Sequence, residues 1–313
     1  MTGQILESTH CLGGRTISLL SLPALSEQKQ FVKLGQYGDV GTAKTSNLAS
    51  LANLGKVVYI DSEAGLEPVP LRDLGINTDN IIPFNDIRYD ALDELCFDLR
   101  AQLDQDPGSI VGVLFDSMTE IVAKLVEQTN DAEIGRQIRK MERRGEDTSS
   151  LSKFRIDLSS WGVVTEQVRR LIRHYRDLPC HMGWAALERR DVDQSDGTVQ
   201  YGPRVNPGLQ GDLVGYVGIV AHTWVDGVDE DDRELYVAHT RRTPKYTAKD
   251  RFHATPRRLA VPSFERIIGY VEKTLTVETD PIQQHYHDTL RARREEKAQK
   301  TASKEQGKVN AKT

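Results

Sequence analysis

The chain of 313 residues has few cysteines, modest apolar content and no excess of positive charge. Cys11, Cys96 and Cys180 lie far apart, which excludes a disulfide framework and a cysteine metal cluster. They read as reduced thiols of an intracellular protein. No apolar run approaches the length of a membrane span, and the N-terminus carries no charged-then-apolar signal pattern. The expectation is a soluble protein with no membrane partner. Hydrophobic residues make up 38% and charged residues 28%, which suits a globular core carrying polar insertions and a tail. The net charge of −5 excludes a chain-wide basic footprint for nucleic acid, so any such footprint must be local.

Against these absences stands one turn, Gly38-Asp39-Val40-Gly41-Thr42-Ala43-Lys44-Thr45. It follows an apolar-leaning run over 31–35 and precedes an amphipathic run over 46–54. Strand, glycine-rich turn and helix is the setting of a phosphate-binding P-loop. The pattern G-x-x-x-x-G-K-[ST] is met except that Ala43 stands at the second glycine. In such a turn, backbone N–H groups point inward at phosphate oxygens and the following helix presents its positive end. Lys44 would reach the β- and γ-phosphates, and Thr45 would give its hydroxyl to Mg²⁺. A methyl group at Ala43 is tolerable at negative φ and costly at positive φ.

Residues 56–60 are almost continuously apolar, as in a parallel strand buried on both faces. The run ends in Asp61-Ser62-Glu63, at the strand end where open α/β sheets bind ligands. Glu63 is therefore a candidate to activate water beside a γ-phosphate. The plainer reading is that Asp61 and Glu63 cap the next segment. A strand over 81–84 and a helix over 91–103 follow. Residues 110–115 then form a second apolar run closing on Asp116-Ser117, the Walker B pattern, in which Asp116 holds Mg²⁺. Ser117 can position the same shell.

The segment from 118 begins as helix and becomes charged. Arg136, Arg139, Lys140, Arg143, Arg144, Lys153 and Arg155 form a first basic patch there, with a loop over 145–152. A helix over 161–175 and a core strand over 180–186 come next. Glu188 and Arg189, just past that strand, are candidate γ-phosphate sensors. Residues 191–212 read as one long loop containing Tyr201 and Arg204. Strands are expected over 216–224 and 234–239. A second basic patch runs from Arg241 to Arg258 and includes Lys249 and Arg251. Helices are expected over 263–275 and from 280. Beyond Leu290 the chain lacks an apolar stripe and reads as a fraying tail. The expected division is a leader (1–29), an ATPase domain (30–275), and a C-terminal helix with tail (276–313).

With the P-loop, Glu63, Asp116 and the later strand placed, the chain resembles the RecA-like ATPases. Residues 58–68, with Leu74-Gly75-Ile76 and Asn80-Ile81-Ile82, are similar to the segment that carries the catalytic glutamate of bacterial recombinase RecA. The closer likeness is to phage-encoded RecA-like ATPases of single-strand annealing and recombination. It adds Tyr201-Gly202-Pro203 and Lys249-Asp250-Arg251, and spans roughly 30–260. Glu188 or its neighbour stands where recombinases carry a sensing glutamine. The resemblance implies an α/β fold: a RecA-like core with a mostly parallel sheet, helices on both faces and antiparallel strands added late. It implies ATP and Mg²⁺ as cofactors, with Lys44, Glu63 and Asp116 catalytic and residues 38–45 binding nucleotide. Single-stranded DNA would meet Arg139, Lys140, Arg143, Arg144, Tyr201 and Arg204. A homo-oligomer would bring Lys249 or Arg251 to a neighbour's site. A single-strand binding protein is a further possible partner, and the cytoplasm of a bacterial host is the expected compartment. Two alternatives stay open: an ATP-driven partner switch or loader without DNA contact, and a nucleotide-binding protein with little hydrolysis.

Overall fold

In the computed structural model of the protein, residues 10–12, 15–17, 29–149, 158–229 and 231–310 are described, with side chains for 29–149, 161–229 and 231–301. The chain divides into two units, Met1–Phe31 and Val32–Thr313. In the first, β1 (His10–Leu12) pairs antiparallel with β2 (Arg15–Ile17). The sequence also suggests a strand over 16–22, of which 18–22 lie outside the described residues, as do the side chain of Cys11, part of the expected loop over 145–152, and Lys153 and Arg155 of the first basic patch.

In the second unit, β3 (Lys33–Gly38) leads through the P-loop turn into α1 (Lys44–Ala49), which tightens into a 3₁₀ turn over Ser50–Leu54. There follow β4 (Val57–Asp61), α2 (Pro68–Asp73), β5 (Ile81–Phe84), α3 (Tyr89–Gln105), β6 (Gly112–Asp116), α4 (Met118–Glu142) and α5 (Leu158–Arg176). The rest comprises β7 (His181–Val192), β8 (Val199–Pro203), α6 (Pro207–Tyr216), β9 (Ile219–Val228), β10 (Glu234–His239), β11 (Lys249–Asp250), β12 (Arg258–Ala260), α7 (Phe264–Val271) and α8 (Pro281–Asn310).

One sheet gathers β3 to β12 in the order β12-β10-β9-β3-β7-β6-β4-β5, with β8 on β7 and β11 on β9. The stretch from β9 to β5 is parallel, and β10, β12, β8 and β11 are antiparallel additions. The fold is thus α/β with a mostly parallel central sheet and late antiparallel strands. Strand periodicity sends alternate side chains to two cores. Val58, Ile60, Val113, Phe115, Met182 and Trp184 enter one with α3 to α6, while Val57, Tyr59, Leu114 and Ala185 enter the other with α1 and α7. Continuous apolar runs are what such two-sided burial requires, and β4 and β6 are buried at every position.

Three expectations are corrected. Residues 191–212 are not one loop: β7 and β8 form a hairpin, and α6 follows. Its turn closes through the Asp193 N–H to Thr198 and the Gly197 N–H to Asp193, with Gly197 at φ 72°. The strand expected from 216 starts at Ile219, because Pro207 sits in the first turn of a helix that runs to Tyr216. The expected fraying tail is helical to Asn310. Its Lys, Arg, Glu, Gln and Ala are strong helix formers, and Glu296–Lys300 is an i,i+4 ion pair.

Candidate nucleotide-binding site

Register puts the candidate residues on one edge of the sheet. Gly38 ends β3 opposite Leu187 of β7, and Asp61 ends β4 opposite Asp116 of β6. The turns beyond these ends line a cavity of about 520 Å³ that includes 40–46, Glu63, Asp116, Ser117 and Leu187.

The turn itself is tightly specified. A Cβ on Gly38 would lie 2.2 Å from the Thr223 carbonyl oxygen, so β9 can approach only a glycine. Gly41 has φ 75°. Thr42 fastens the loop to β9 through a 2.9 Å hydroxyl pair with Thr223. Ala43 has φ 60° and ψ 23°, the left-handed region, so the residue that departs from the glycine pattern is in the conformation where glycine is favoured. Lys44 Nζ donates to the Gly38 carbonyl (3.1 Å), the Asp39 carbonyl (2.6 Å) and Thr42 Oγ1 (3.3 Å). Burial pulls its ammonium below the ordinary lysine range, opposed by the carboxylates of Asp116 and Glu63.

Thr45 Oγ1 donates to Asp116 Oδ2 at 2.6 Å, joining the two candidate metal residues directly. Tyr59 OH donates to the same oxygen at 2.7 Å from full burial in β4. Burial pushes the Asp116 carboxyl up, and the hydrogen bonds from Thr45 and Tyr59 oppose it. Tyr59 was visible in the sequence only as part of an apolar run. Nothing in that pattern distinguishes a tyrosine that packs from one that also donates to a carboxylate.

The rivalry between catalytic and capping roles at Asp61 and Glu63 is divided between the two residues. Asp61 caps the turn, accepting from the N–H groups of Glu63 (3.2 Å), Gly65 (3.3 Å) and Leu66 (3.2 Å). Glu63 is exposed, accepts a short hydrogen bond from Ser117 Oγ and reaches the cavity. Ser62 ties the two strand ends: its hydroxyl donates to the carbonyls of Asp116 (3.0 Å) and Ser117 (3.1 Å), and the Ser117 N–H donates back at 2.8 Å. Ser62 was not singled out in the sequence, being a small polar residue between two acids.

The remaining candidates are spread out. Glu188 lies within electrostatic reach of Lys44 and pairs with His222 Nε2 of β9 at 3.0 Å. Burial and the Asp39 charge raise its carboxyl above the usual range. Arg189 turns away to Asp191 at 2.7 Å. Tyr201 is half-buried, packed against Tyr246 with ring centroids 5.3 Å apart, and Arg204 is exposed. Arg139 and Lys140 lie in the last turn of α4 and Arg143 and Arg144 just beyond it. At ~1.5 Å per residue the helix carries Arg139 roughly 30 Å from its Asp116 end. Lys249 and Arg251 both donate to the Gly215 carbonyl, at 3.4 and 3.3 Å. Lys249 pairs with Val220, level with Gly35, so within one chain these cations sit toward the starting ends of the strands, away from the P-loop.

A glycine-rich turn between β3 and α1, a lysine inside it, and a threonine bonded to an aspartate at a neighbouring strand end define a P-loop nucleoside triphosphatase. The AAA domain family model matches residues 30–252, and the chain belongs to that family, whose members are P-loop ATPases. A search of curated proteins finds no match. Among the described residues, no helix is long and apolar enough to cross a membrane.

Proposed function

We propose that the protein binds ATP with Mg²⁺ at residues 38–45, hydrolyses it, and couples hydrolysis to single-stranded DNA as RecA-like recombination ATPases do. The observation that carries the ATPase part is the convergence of Lys44, Thr45, Glu63 and Asp116 on one cavity from the ends of three strands. Thr45 and Asp116 offer hydroxyl and carboxylate oxygens, the hard donors that Mg²⁺ takes. Held by these two residues, the ion would supply positive charge to offset the charge that develops on the phosphates. Lys44 exchanges the Gly38 and Asp39 carbonyls for phosphate oxygens, and the turn N–H groups hold the rest. Glu63, held by Ser117, orients the attacking water. The support for DNA coupling is the likeness over 58–68 and the local basic clusters of an otherwise acidic chain. An oligomer in which Lys249 or Arg251 completes a neighbour's site belongs to the same reading.

Phosphate release from ATP, measured with and without an oligothymidylate, tests both parts. Several-fold stimulation by the oligonucleotide is expected. An unchanged rate would remove DNA coupling and leave the ATPase, and no Mg²⁺-dependent turnover in either condition would remove both.

A further inference from the structure

A second cavity, of about 520 Å³, lies between the edge of the sheet and the C-terminal helix. One wall is Pro256, Arg257 and Arg258, at the start of the edge strand β12. The other is a single face of α8, where Tyr286, His287, Leu290, Arg291 and Arg294 recur at helical spacing. Four guanidinium groups therefore surround one hollow in a chain whose net charge is −5.

The framework beneath is built and satisfied. Gln283 bridges helix and strand, its amide accepting from the Ala260 N–H at 3.1 Å and donating to the Arg258 carbonyl at 3.0 Å. Tyr286 OH donates to Asp226 at 2.8 Å, and Arg293 donates to the carbonyls of Asp226 and Val228, both at 2.7 Å. Arg293 thus holds α8 to β9, while Arg257, Arg291 and Arg294 of the cavity are exposed. Arg258 lies over the Trp224 ring at 6.0 Å. Arg291 has Asp288 at 3.6 Å, a pair exposed on both sides. Arg257 and Arg294 are exposed and, among the described residues, have no carboxylate within ion-pair distance. Arg242 extends the exposed positive surface, because the neighbouring Thr240 N–H donates to the Arg257 carbonyl, whereas Arg241 lies 3.9 Å from the buried Asp250 carboxylate. The α4 patch is paired only in part as well, Glu133 with Arg136 and Glu146 with Arg144.

We infer that this cavity between β12 and α8 binds the phosphodiester backbone of single-stranded nucleic acid. Guanidinium groups suit the task because each presents a planar fork of donors matched to phosphate oxygens. The inference rests on the single-stranded DNA reading above and assigns that binding to the C-terminal side of the molecule rather than to Arg139, Lys140, Arg143 and Arg144.

The test is fluorescence anisotropy of a labelled thirty-nucleotide oligothymidylate titrated with the full-length protein over a range of salt. A triple variant, Arg257→Gln, Arg291→Gln and Arg294→Gln, should weaken binding about tenfold or more. It should flatten the salt slope by roughly 0.7 for each lost contact. ATP turnover without DNA should stay at the wild-type rate, which also reports that the variant is folded. The corresponding triple lysine variant keeps the charge and should restore most of the slope. Wild-type affinity and slope in the glutamine variant would overturn the inference while leaving DNA binding intact. Loss confined to the Arg139, Lys140, Arg143 and Arg144 variant would do the same. No binding of the oligonucleotide by the wild-type protein would overturn the DNA reading along with it. Displacement of the oligonucleotide by millimolar inorganic phosphate at constant ionic strength would overturn the polymer claim and assign the cavity to a small anion.

Discussion

Ala43 is the residue at which sequence and backbone disagree. Its φ of 60° lies where an L-residue with a Cβ is strained by ~1–2 kcal/mol. Ala43→Gly removes that strain and costs ~0.4–1 kcal/mol through the greater freedom of the unfolded chain. A small net stabilisation is expected, on the order of 0.5 kcal/mol, read as a raised denaturation midpoint; a lowered midpoint would mean that the methyl group makes a compensating contact. Glu63 and Asp116 should separate by experiment. Glu63→Gln keeps the shape at the cavity edge and should retain ATP affinity while turnover falls by ~10²–10⁴-fold. Asp116→Asn replaces a carboxylate that accepts from Thr45 and Tyr59, so it should also raise the Mg²⁺ concentration needed for half-maximal activity. Equal loss of ATP affinity in Glu63→Gln would make Glu63 a structural residue.

At the scale of elements, β3 is the strand on which the site depends, since it carries the turn and lies between β7 and β9. Gly35 lets it lie against Trp184: a Cβ there would come within 2.2 Å of the buried indole. Gly35→Ala should therefore destabilise by ~1–3 kcal/mol, measured by denaturant titration, with residual activity tracking the folded fraction. A change below a few tenths of a kcal/mol would show that the indole shifts without cost. The apolar runs at 57–60 and 113–115 announced their strands because burial on both faces leaves little room for polar residues. The P-loop was legible because its glycines, lysine and threonine serve local geometry. The hairpin over β7 and β8 was not, since residues 188–203 are polar and lie on an antiparallel extension where pairing, not burial, defines the strand. The start of α8 was expected from 280, but its continuation beyond Leu290 was missed for a related reason. Its anchors to the sheet, Gln283, Tyr286, Leu290 and Arg293, are mostly polar and make no apolar stripe. Tyr59 and Ser62 escaped because their hydrogen bonds join strands that are remote in sequence.

For the molecule as a whole, the neighbouring strands β9 and β10 hold two histidines that burial keeps neutral. His222 and His239 are both pulled down to about 4, the first helped by the positive charge of Lys44 and the second by His222 itself. Their folded values lie below the unfolded value of about 6.5, so the unfolded chain binds more protons between these limits. Stability is therefore full above pH ~6.5 and falls as the pH drops toward 4, by up to ~3 kcal/mol for the fully buried His222. Thermal melts of wild type and His222→Gln at pH 7.5 and 5 should show a smaller acid loss in the variant; equal losses would place the acid sensitivity elsewhere. Every catalytic role assigned to this protein depends on the P-loop. The measurement that reaches it most directly is Mg²⁺-dependent phosphate release from ATP by the wild-type protein beside Lys44→Ala. Removing the ammonium that faces the phosphates should lower turnover by ~10²-fold or more while the circular dichroism spectrum is unchanged. A folded Lys44→Ala protein that hydrolyses ATP at the wild-type rate would contradict the assignment of residues 38–45 as the nucleotide site.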